Sequence, residues 1–96
     1  MKAHTSNKNV FRDLGFGSEE AENLRIRSAL MMELTEHIQR TGMTQKEAAK
    51  SLNVTQPRIS DLTRGKIDVF SIDTLIAMLS RIGFKTTIQV RRRKVA

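Results

Sequence analysis

The chain has 96 residues, of which 39% are hydrophobic; its only aromatic residues are four phenylalanines, and it has one proline and no cysteine. This length supports one domain with a small core and excludes a multi-layer enzyme scaffold, while the lack of cysteine excludes disulfides and thiolate metal sites. The net charge of +7 lies entirely in residues 44–96, which carry eleven Lys and Arg against four Asp and Glu, a balance that favours a partner bearing phosphates.

No segment of the sequence is long and apolar enough to span a membrane, and the N-terminal region lacks the apolar stretch of a signal peptide. Leu, Ile, Ala and Met lead among the hydrophobic residues, which favours helices over sheets. We therefore expect a soluble, cytoplasmic, mostly α protein that forms a small helical bundle.

Residues 1–17 are predicted to form a partly flexible N-terminal arm. The first nine have no periodicity, whereas the next eight, VFRDLGFG, contain two glycines that prevent a long helix. Four apolar side chains stand in this arm: Val10, Phe11, Leu14 and Phe16. Such an arm is suited either to the groove of a protein partner or to folding back over the first helix as core, and the sequence leaves both open.

A long first helix is predicted to start at Ser18, as N-cap before two acidic residues, and to stop at Gly42. Apolar side chains fill one arc of its helical wheel, as in a core-facing stripe: Leu24, Ile26, Leu30, Met31, Leu34 and Ile38. Arg27 also falls inside this arc. Either the helix bends near Arg27 or its guanidinium reaches a carboxylate, and the pattern does not decide between them.

A short second helix is predicted to follow, because Thr44 and Glu47 form the T-x-x-E pattern of a capping box. This helix ends near Leu52. Asn53 then stands at a sharp turn, and asparagine is one of the few residues other than glycine that tolerate a left-handed backbone.

The third predicted helix begins after Thr55 as N-cap and ends at Gly65. Ile59 and Leu62 are expected to turn inward and pack behind the turn, and the preceding helix has small alanines. Together these residues would hold the two short helices at a defined angle. The outward face and its flanks would then carry one proline and five polar residues: Gln56, Pro57, Arg58, Ser60, Asp61 and Arg64.

Ser71 predicts the N-cap of a fourth helix, which Gly83 closes. Its apolar residues follow the helical i, i+3, i+4, i+7 spacing: Ile72, Leu75, Ile76, Leu79 and Ile82. Residues 84–90, FKTTIQV, instead alternate with a period of two and predict a short C-terminal β-strand. A lone strand needs a partner, either the N-terminal arm or a second copy of the chain. Residues 91–96 form a basic tail, suited to non-specific phosphate contacts or simply frayed.

The stretch from the capping box to Gly65 resembles the helix-turn-helix of the Cro/phage-repressor-like (XRE) family. In that family a Gln opens the first helix, as Gln45 does here, and a small residue and a turn residue follow at the spacing of Ala49 and Asn53. Ile and Leu recur at the positions of Ile59 and Leu62. Asn53 is a mild departure, since glycine is more usual at the turn.

This resemblance implies a helix-turn-helix DNA-binding domain over residues 18–83, acting as a homodimeric transcriptional repressor on an operator in double-stranded DNA. The dimer interface would be the strand or the fourth helix. Five residues are expected to read bases: Gln56, Pro57, Arg58, Ser60 and Asp61. Among these residue types, Gln is suited to adenine, Arg to guanine and Asp to cytosine N4. Those expected to contact phosphates are Thr44, Gln45, Lys46, Thr55, Arg64 and Lys66.

A wider frame, NVFRDLGF, EEAENLRIR, TQKEAA and SDLTRGKIDVFSIDTLIAML, resembles the HigA-type antitoxin branch of the same family. That resemblance implies an antitoxin of a type II toxin–antitoxin system, which represses its own operon and binds a small RelE/HigB-like ribonuclease toxin. The arm side chains Val10, Phe11, Leu14 and Phe16 would be the toxin-binding residues. The alternative is a stand-alone XRE-family regulator without a toxin.

Other chemistry finds no support in the sequence. No Ser/His/Asp set, paired acids or glycine-rich phosphate loop indicates an enzyme, and no cofactor is expected. His4 and His37 have no partner at metal-ligand spacing, so we expect no metal and a structural role for His37.

Overall fold

The computed structural model describes residues 17–92. Four α-helices and one 3-10 turn follow one another along this part of the chain: α1 (Ser18–Thr41), α2 (Gln45–Leu52), α3 (Gln56–Thr63), η1 (Ile67–Val69) and α4 (Ile72–Arg81). The mostly helical fold with its helix-turn-helix pair is therefore confirmed. The apolar residues predicted for toxin binding, Val10, Phe11, Leu14 and Phe16, and the last four residues of the basic tail lie outside the described residues. No helix within residues 17–92 combines the length and apolar character that crossing a bilayer requires.

The N-cap of helix α1 lies one residue earlier than predicted. Gly17, not Ser18, is the N-cap, with no side-chain cap hydrogen bond, and its carbonyl accepts from the Ala21 N–H at 2.8 Å. Glycine is acceptable at this position because it leaves the first amides open to water. The predicted stop is confirmed: Gly42 has φ +72° and donates its N–H to the Ile38 carbonyl at 3.0 Å.

Within residues 17–92, the Arg27 guanidinium does not reach the carboxylate that one of the two alternatives required. Helix α1 continues through Arg27, whose Nη1 donates to the backbone carbonyl of Ile67 at 3.0 Å, while its Nε donates to Asn23 Oδ1 at 2.7 Å. The acceptor across the core is therefore a carbonyl of η1 and not a carboxylate. The Ile67 carbonyl also accepts from the Phe70 N–H at 3.4 Å, so the guanidinium is a second donor to the same oxygen.

The core lies between α1 and α4 on one side and α2 and α3 on the other. Its fully buried larger side chains come from all four α-helices and from the residue that follows η1: Leu34, Leu52, Ile59, Leu62, Phe70, Leu75 and Met78. The predicted stripe of α1 is buried at Leu24, Met31, Leu34 and Ile38, and half-buried at Ile26 and Leu30. His37 is half-buried and meets the Phe84 ring edge-on, with ring centroids 5.6 Å apart, a packing role as expected.

The prediction of a C-terminal β-strand over residues 84–90 is wrong. Residues 84–92 form no regular secondary structure, and no strand occurs within residues 17–92. Phe84 packs against the core, but Ile88 and Val90 are 73% and 88% exposed. A strand is held by hydrogen bonds to a neighbouring strand. The described part of one chain offers no such neighbour to this segment.

Candidate nucleic-acid interface

The start of α2 is held by the predicted capping box. The Thr44 hydroxyl accepts from the Glu47 N–H at 3.1 Å, and Glu47 Oε1 accepts from the Thr44 N–H at 2.9 Å. Two backbone amides that a helix leaves unpaired are satisfied in this way. The remaining amides at the start of α2 stay open beside the exposed Gln45 and Lys46.

Asn53 makes the turn between α2 and α3. It has φ +57° and ψ +48°, and no other residue than glycine has positive φ in residues 17–92. The Val54 N–H reaches back to the Ala49 carbonyl at 3.0 Å, which closes α2. The Thr55 hydroxyl then accepts from the Arg58 N–H at 3.3 Å and opens α3. One left-handed residue therefore sets the change of direction between the two helices.

This turn yields a stability prediction. Asn53→Ala is expected to lower the free energy of unfolding by about 1 kcal/mol, because a Cβ without a polar group disfavours the left-handed conformation. Asn53→Gly is the matched control and should unfold at the same or a higher urea concentration. Equal midpoints for the alanine variant and the wild type in urea unfolding would contradict this account of the turn.

Small and apolar residues hold α2 against α3. Ala48 is 0% and Ala49 8% exposed at the helix crossing, and Ile59 and Leu62 of α3 are buried behind the turn. Arg81, at the end of α4, donates Nη1 to the Leu52 carbonyl at 3.0 Å. This bond ties the last turn of α2 to α4, and no local pattern around Arg81 indicates it.

The predicted DNA-contacting residues are all accessible at the surface. Exposed positions are Thr44, Gln45, Lys46, Thr55, Gln56, Pro57, Arg64 and Lys66. Half-buried positions are Arg58, Ser60 and Asp61. The residues assigned to base reading thus lie along α3, and those assigned to phosphates lie at the starts of both helices and just after α3.

Three charged side chains on α3 and its C-cap form one cluster. Asp61 Oδ2 lies 3.6 Å from Arg58 Nη1, and Asp61 Oδ1 lies 3.5 Å from Arg64 Nη2. The Asp61 side chain is only 21% exposed, against 43% for Arg58 and 61% for Arg64. The i, i+3 spacing of these residues was visible in the sequence and is the signal by which the cluster could have been found.

Phe70 adds a contact that sequence reasoning missed. The Arg58 guanidinium carbon lies 5.8 Å from the centroid of the Phe70 ring, within the range of a cation–π interaction. Phe70 itself is 1% exposed, and its carbonyl accepts from Arg27 at 3.4 Å. Near the start of α3, the Arg58 guanidinium therefore contacts both an aromatic ring and a carboxylate.

Comparison with known proteins agrees with this geometry. Residues 10–91 match a family model described as a helix-turn-helix domain. The chain is 32% identical over 78 residues to an uncharacterized HTH-type transcriptional regulator of Haemophilus influenzae, covering 81% of this chain and 79% of the relative. A solved structure described, provisionally, as an XRE family transcriptional regulator superposes with a TM-score of 0.74 at 28% identity, covering 80% of this chain and 90% of that one.

Proposed function

The chain belongs to the helix-turn-helix domain family, and from that premise we propose that it is a DNA-binding transcriptional regulator that reads its operator with α3. The observation that carries this proposal is the division of α3 into two faces. Ile59 and Leu62 are buried, Pro57 and Arg64 are exposed on the opposite side, and Gln56 and Arg58 stand on its flanks near an accessible helix start. The relatives of this fold that are described as transcriptional regulators support the same function.

In the proposed complex α3 enters the major groove of DNA with its N-terminal residues at the base edges. Gln56 pairs with adenine and Arg58 with guanine, each through two hydrogen bonds, and Ser60 accepts or donates to several bases. Lys46 and Lys66 neutralise phosphates and fix the register of the domain on the duplex. This action is binding alone, so the proposal includes no catalytic step and no cofactor.

The proposal predicts that Arg58→Ala loses about 1 to 3 kcal/mol of discrimination between the operator and other sequences. The operator is first obtained by selection from a random duplex pool with the wild-type chain. Anisotropy titrations then compare the selected duplex with the unselected pool. A wild-type chain that enriches no sequence, or binds both duplexes alike, would contradict sequence-specific regulation.

Lys46→Ala should behave differently from Arg58→Ala. Because a phosphate contact carries no sequence information, this variant should bind the selected duplex and the unselected pool more weakly by the same factor. Its plot of log affinity against log salt should lose about 0.9 in slope, the value for one phosphate contact. Loss of affinity for the selected duplex alone would assign Lys46 to base reading instead.

The proposed regulator acts as a homodimer, and its C-terminal segment supplies the interface. A single helix-turn-helix contacts too few base pairs to find one site in a genome. Ile88 and Val90 border an apolar groove of about 420 Å³ between α1 and α4, lined also by Ile26, Leu30 and Ile76. Residues 84–90 of a second copy would provide both the strand partner and the apolar cover that this segment lacks within the described part of one chain.

Cutting the chain after Gly83 should therefore weaken dimerisation and operator affinity together. The double variant Ile88→Ser, Val90→Ser should do the same without removing residues, as measured by sedimentation equilibrium. Thr87→Ser, Gln89→Ser is the matched control on the alternate face. A truncated chain that dimerises and binds its operator as before would assign the interface to another surface, such as α4.

The finer proposal is that the regulator is the antitoxin of a type II toxin–antitoxin pair and represses the operon it shares with its toxin. The resemblance of the wider sequence frame to the HigA-type branch supports this. The proposed partner is a small RelE/HigB-like ribonuclease. A stand-alone regulator without a toxin is the alternative.

Purification of the tagged chain from its native cells, followed by native mass spectrometry, separates these two functions. A small partner in fixed stoichiometry, with ribonuclease activity on release, supports the antitoxin. Phe11→Ser, Leu14→Ser should then abolish partner binding with unchanged thermal stability. A homodimer with no partner, and a lower thermal midpoint in the double variant, would support the stand-alone regulator with the arm in its core.

A further inference from the structure

We propose that Asp61 is a positioning residue that sets the selectivity of α3 by holding Arg58 and Arg64, and not by contacting a base. This inference rests on the proposed function, and it replaces the cytosine contact that sequence reasoning assigns to Asp61. It follows from the ion pairs of 3.6 Å and 3.5 Å that the carboxylate makes with the two guanidinium groups.

The first consequence of the cluster is electrostatic. Asp61 lowers the combined charge of the three side chains from +2 to +1, because both arginines share one carboxylate. Affinity for DNA of any sequence depends on cationic side chains that replace condensed counterions at phosphates. An arginine held by Asp61 contributes less to that replacement, so the cluster weakens binding to DNA in general.

The second consequence is a cost that only a correct contact offsets. When the arginines leave Asp61 for DNA, a carboxylate that is 21% exposed loses its partners near a phosphate backbone. Burial makes an unpaired charge unfavourable, and the nearby phosphates repel it. A paired guanine returns two hydrogen bonds to Arg58, whereas a wrong base returns none, so Asp61 widens the difference between the operator and other sequences.

The two arginines are held to different degrees. Arg58 contacts both Asp61 and the Phe70 ring, whereas Arg64 is 61% exposed and contacts Asp61 at 3.5 Å only. Arg58 is thus restrained by two contacts before DNA arrives, so only a contact as favourable as a paired guanine releases it from Asp61. Arg64, at the C-cap of α3, is the one more readily released to a phosphate.

The test compares Asp61→Asn with the wild type on a duplex selected from a random pool with the wild-type chain, and on the unselected pool. Anisotropy titrations are made over a series of KCl concentrations. Asp68→Asn is the matched control, because it removes the same charge from an exposed acid on η1. Asp61→Glu keeps the charge and should restore most of the wild-type behaviour.

For Asp61→Asn we expect tighter binding to the unselected pool, with a salt slope steeper by about 1 to 2, since each released arginine adds about 0.9. The ratio of affinities for the selected duplex and the pool should fall by about fivefold or more. Its thermal midpoint should stay within a few degrees of the wild type, because a near-isosteric change in a partly exposed ion pair has little effect on stability. Asp61→Ser should repeat the DNA result.

Two results would overturn the inference while leaving the proposed function intact. One is a salt slope and affinity ratio for Asp61→Asn equal to those of Asp68→Asn. The other comes from repeating the selection with Asp61→Asn: loss of a single cytosine preference, with unchanged affinity for the pool, would mean that Asp61 reads a base. A wild-type chain that selects no sequence removes the proposed function and this inference together.

Discussion

Replacing Phe70 with alanine is expected to lower the free energy of unfolding by about 3 to 5 kcal/mol, a large part of the stability of a small domain. Phe70 is the largest of the fully buried side chains and joins the core where η1 meets α4. Its removal would leave a cavity in the buried cluster, and such a cavity can close only in part. In thermal unfolding the midpoint should fall by about 12 °C or more.

Val69→Ala is the matched control for this variant, because Val69 is the neighbouring residue and is 42% exposed. It should lose less than about 1 kcal/mol. Equal losses in the two variants would mean that the core does not depend on the Phe70 ring.

Phe70→Leu separates the packing role of the ring from its contact with Arg58. Leucine keeps much of the buried volume, so the stability loss should be smaller than for alanine, but it offers no aromatic face to the guanidinium. Sequence discrimination by the folded variant should therefore fall towards that of Arg58→Ala. Full discrimination with leucine at position 70 would show that Asp61 alone is enough to hold Arg58.

Replacing Ala48 with leucine is expected to have the largest effect on DNA binding. Ala48 is 0% exposed where α2 crosses α3, and the added carbon atoms must push the two helices apart. The stability loss is expected to be about 1 to 3 kcal/mol. Because α3 would then meet the major groove at another angle, affinity for the selected duplex should fall towards that for the unselected pool, a loss of about 10³-fold.

Ser51→Leu is the control for Ala48→Leu. Ser51 lies on the same helix but is exposed, so the same leucine there should leave both stability and operator affinity close to those of the wild type. Calorimetry gives the stability of each variant, and anisotropy titration gives its affinity. If Ala48→Leu kept full operator affinity, the reading of DNA by α3 would not depend on the angle between α2 and α3.

These predictions share one physical basis. The outward residues of α3 can read DNA only if the inward residues hold the helix at a fixed angle, so a change at Ala48 or Phe70 acts on binding through packing. A change at Arg58 acts on binding directly, a change at Asp61 acts through the two arginines, and both should leave the fold intact. Measuring stability and selectivity on the same variants distinguishes the two kinds of residue.

The sequence alone determined most of the helix caps and the turn between α2 and α3. The caps at Thr44, Thr55 and Ser71 and the left-handed turn at Asn53 were all predicted and confirmed. Each of them depends on hydrogen bonds or backbone preferences within a few residues of the chain, so the neighbouring residues contain the needed information. The burial of Ile59 and Leu62 followed in the same way from helical periodicity.

Only the tertiary structure decided the contacts between distant segments. Arg27 donates to a carbonyl 40 residues away, Arg81 to one 29 residues away, and Arg58 lies over the Phe70 ring. The predicted C-terminal strand did not form in the described chain, because alternation says which side chains would share a face but supplies no neighbouring strand. Long-range partners depend on how the helices pack, and packing brings together residues whose spacing along the chain carries no local pattern.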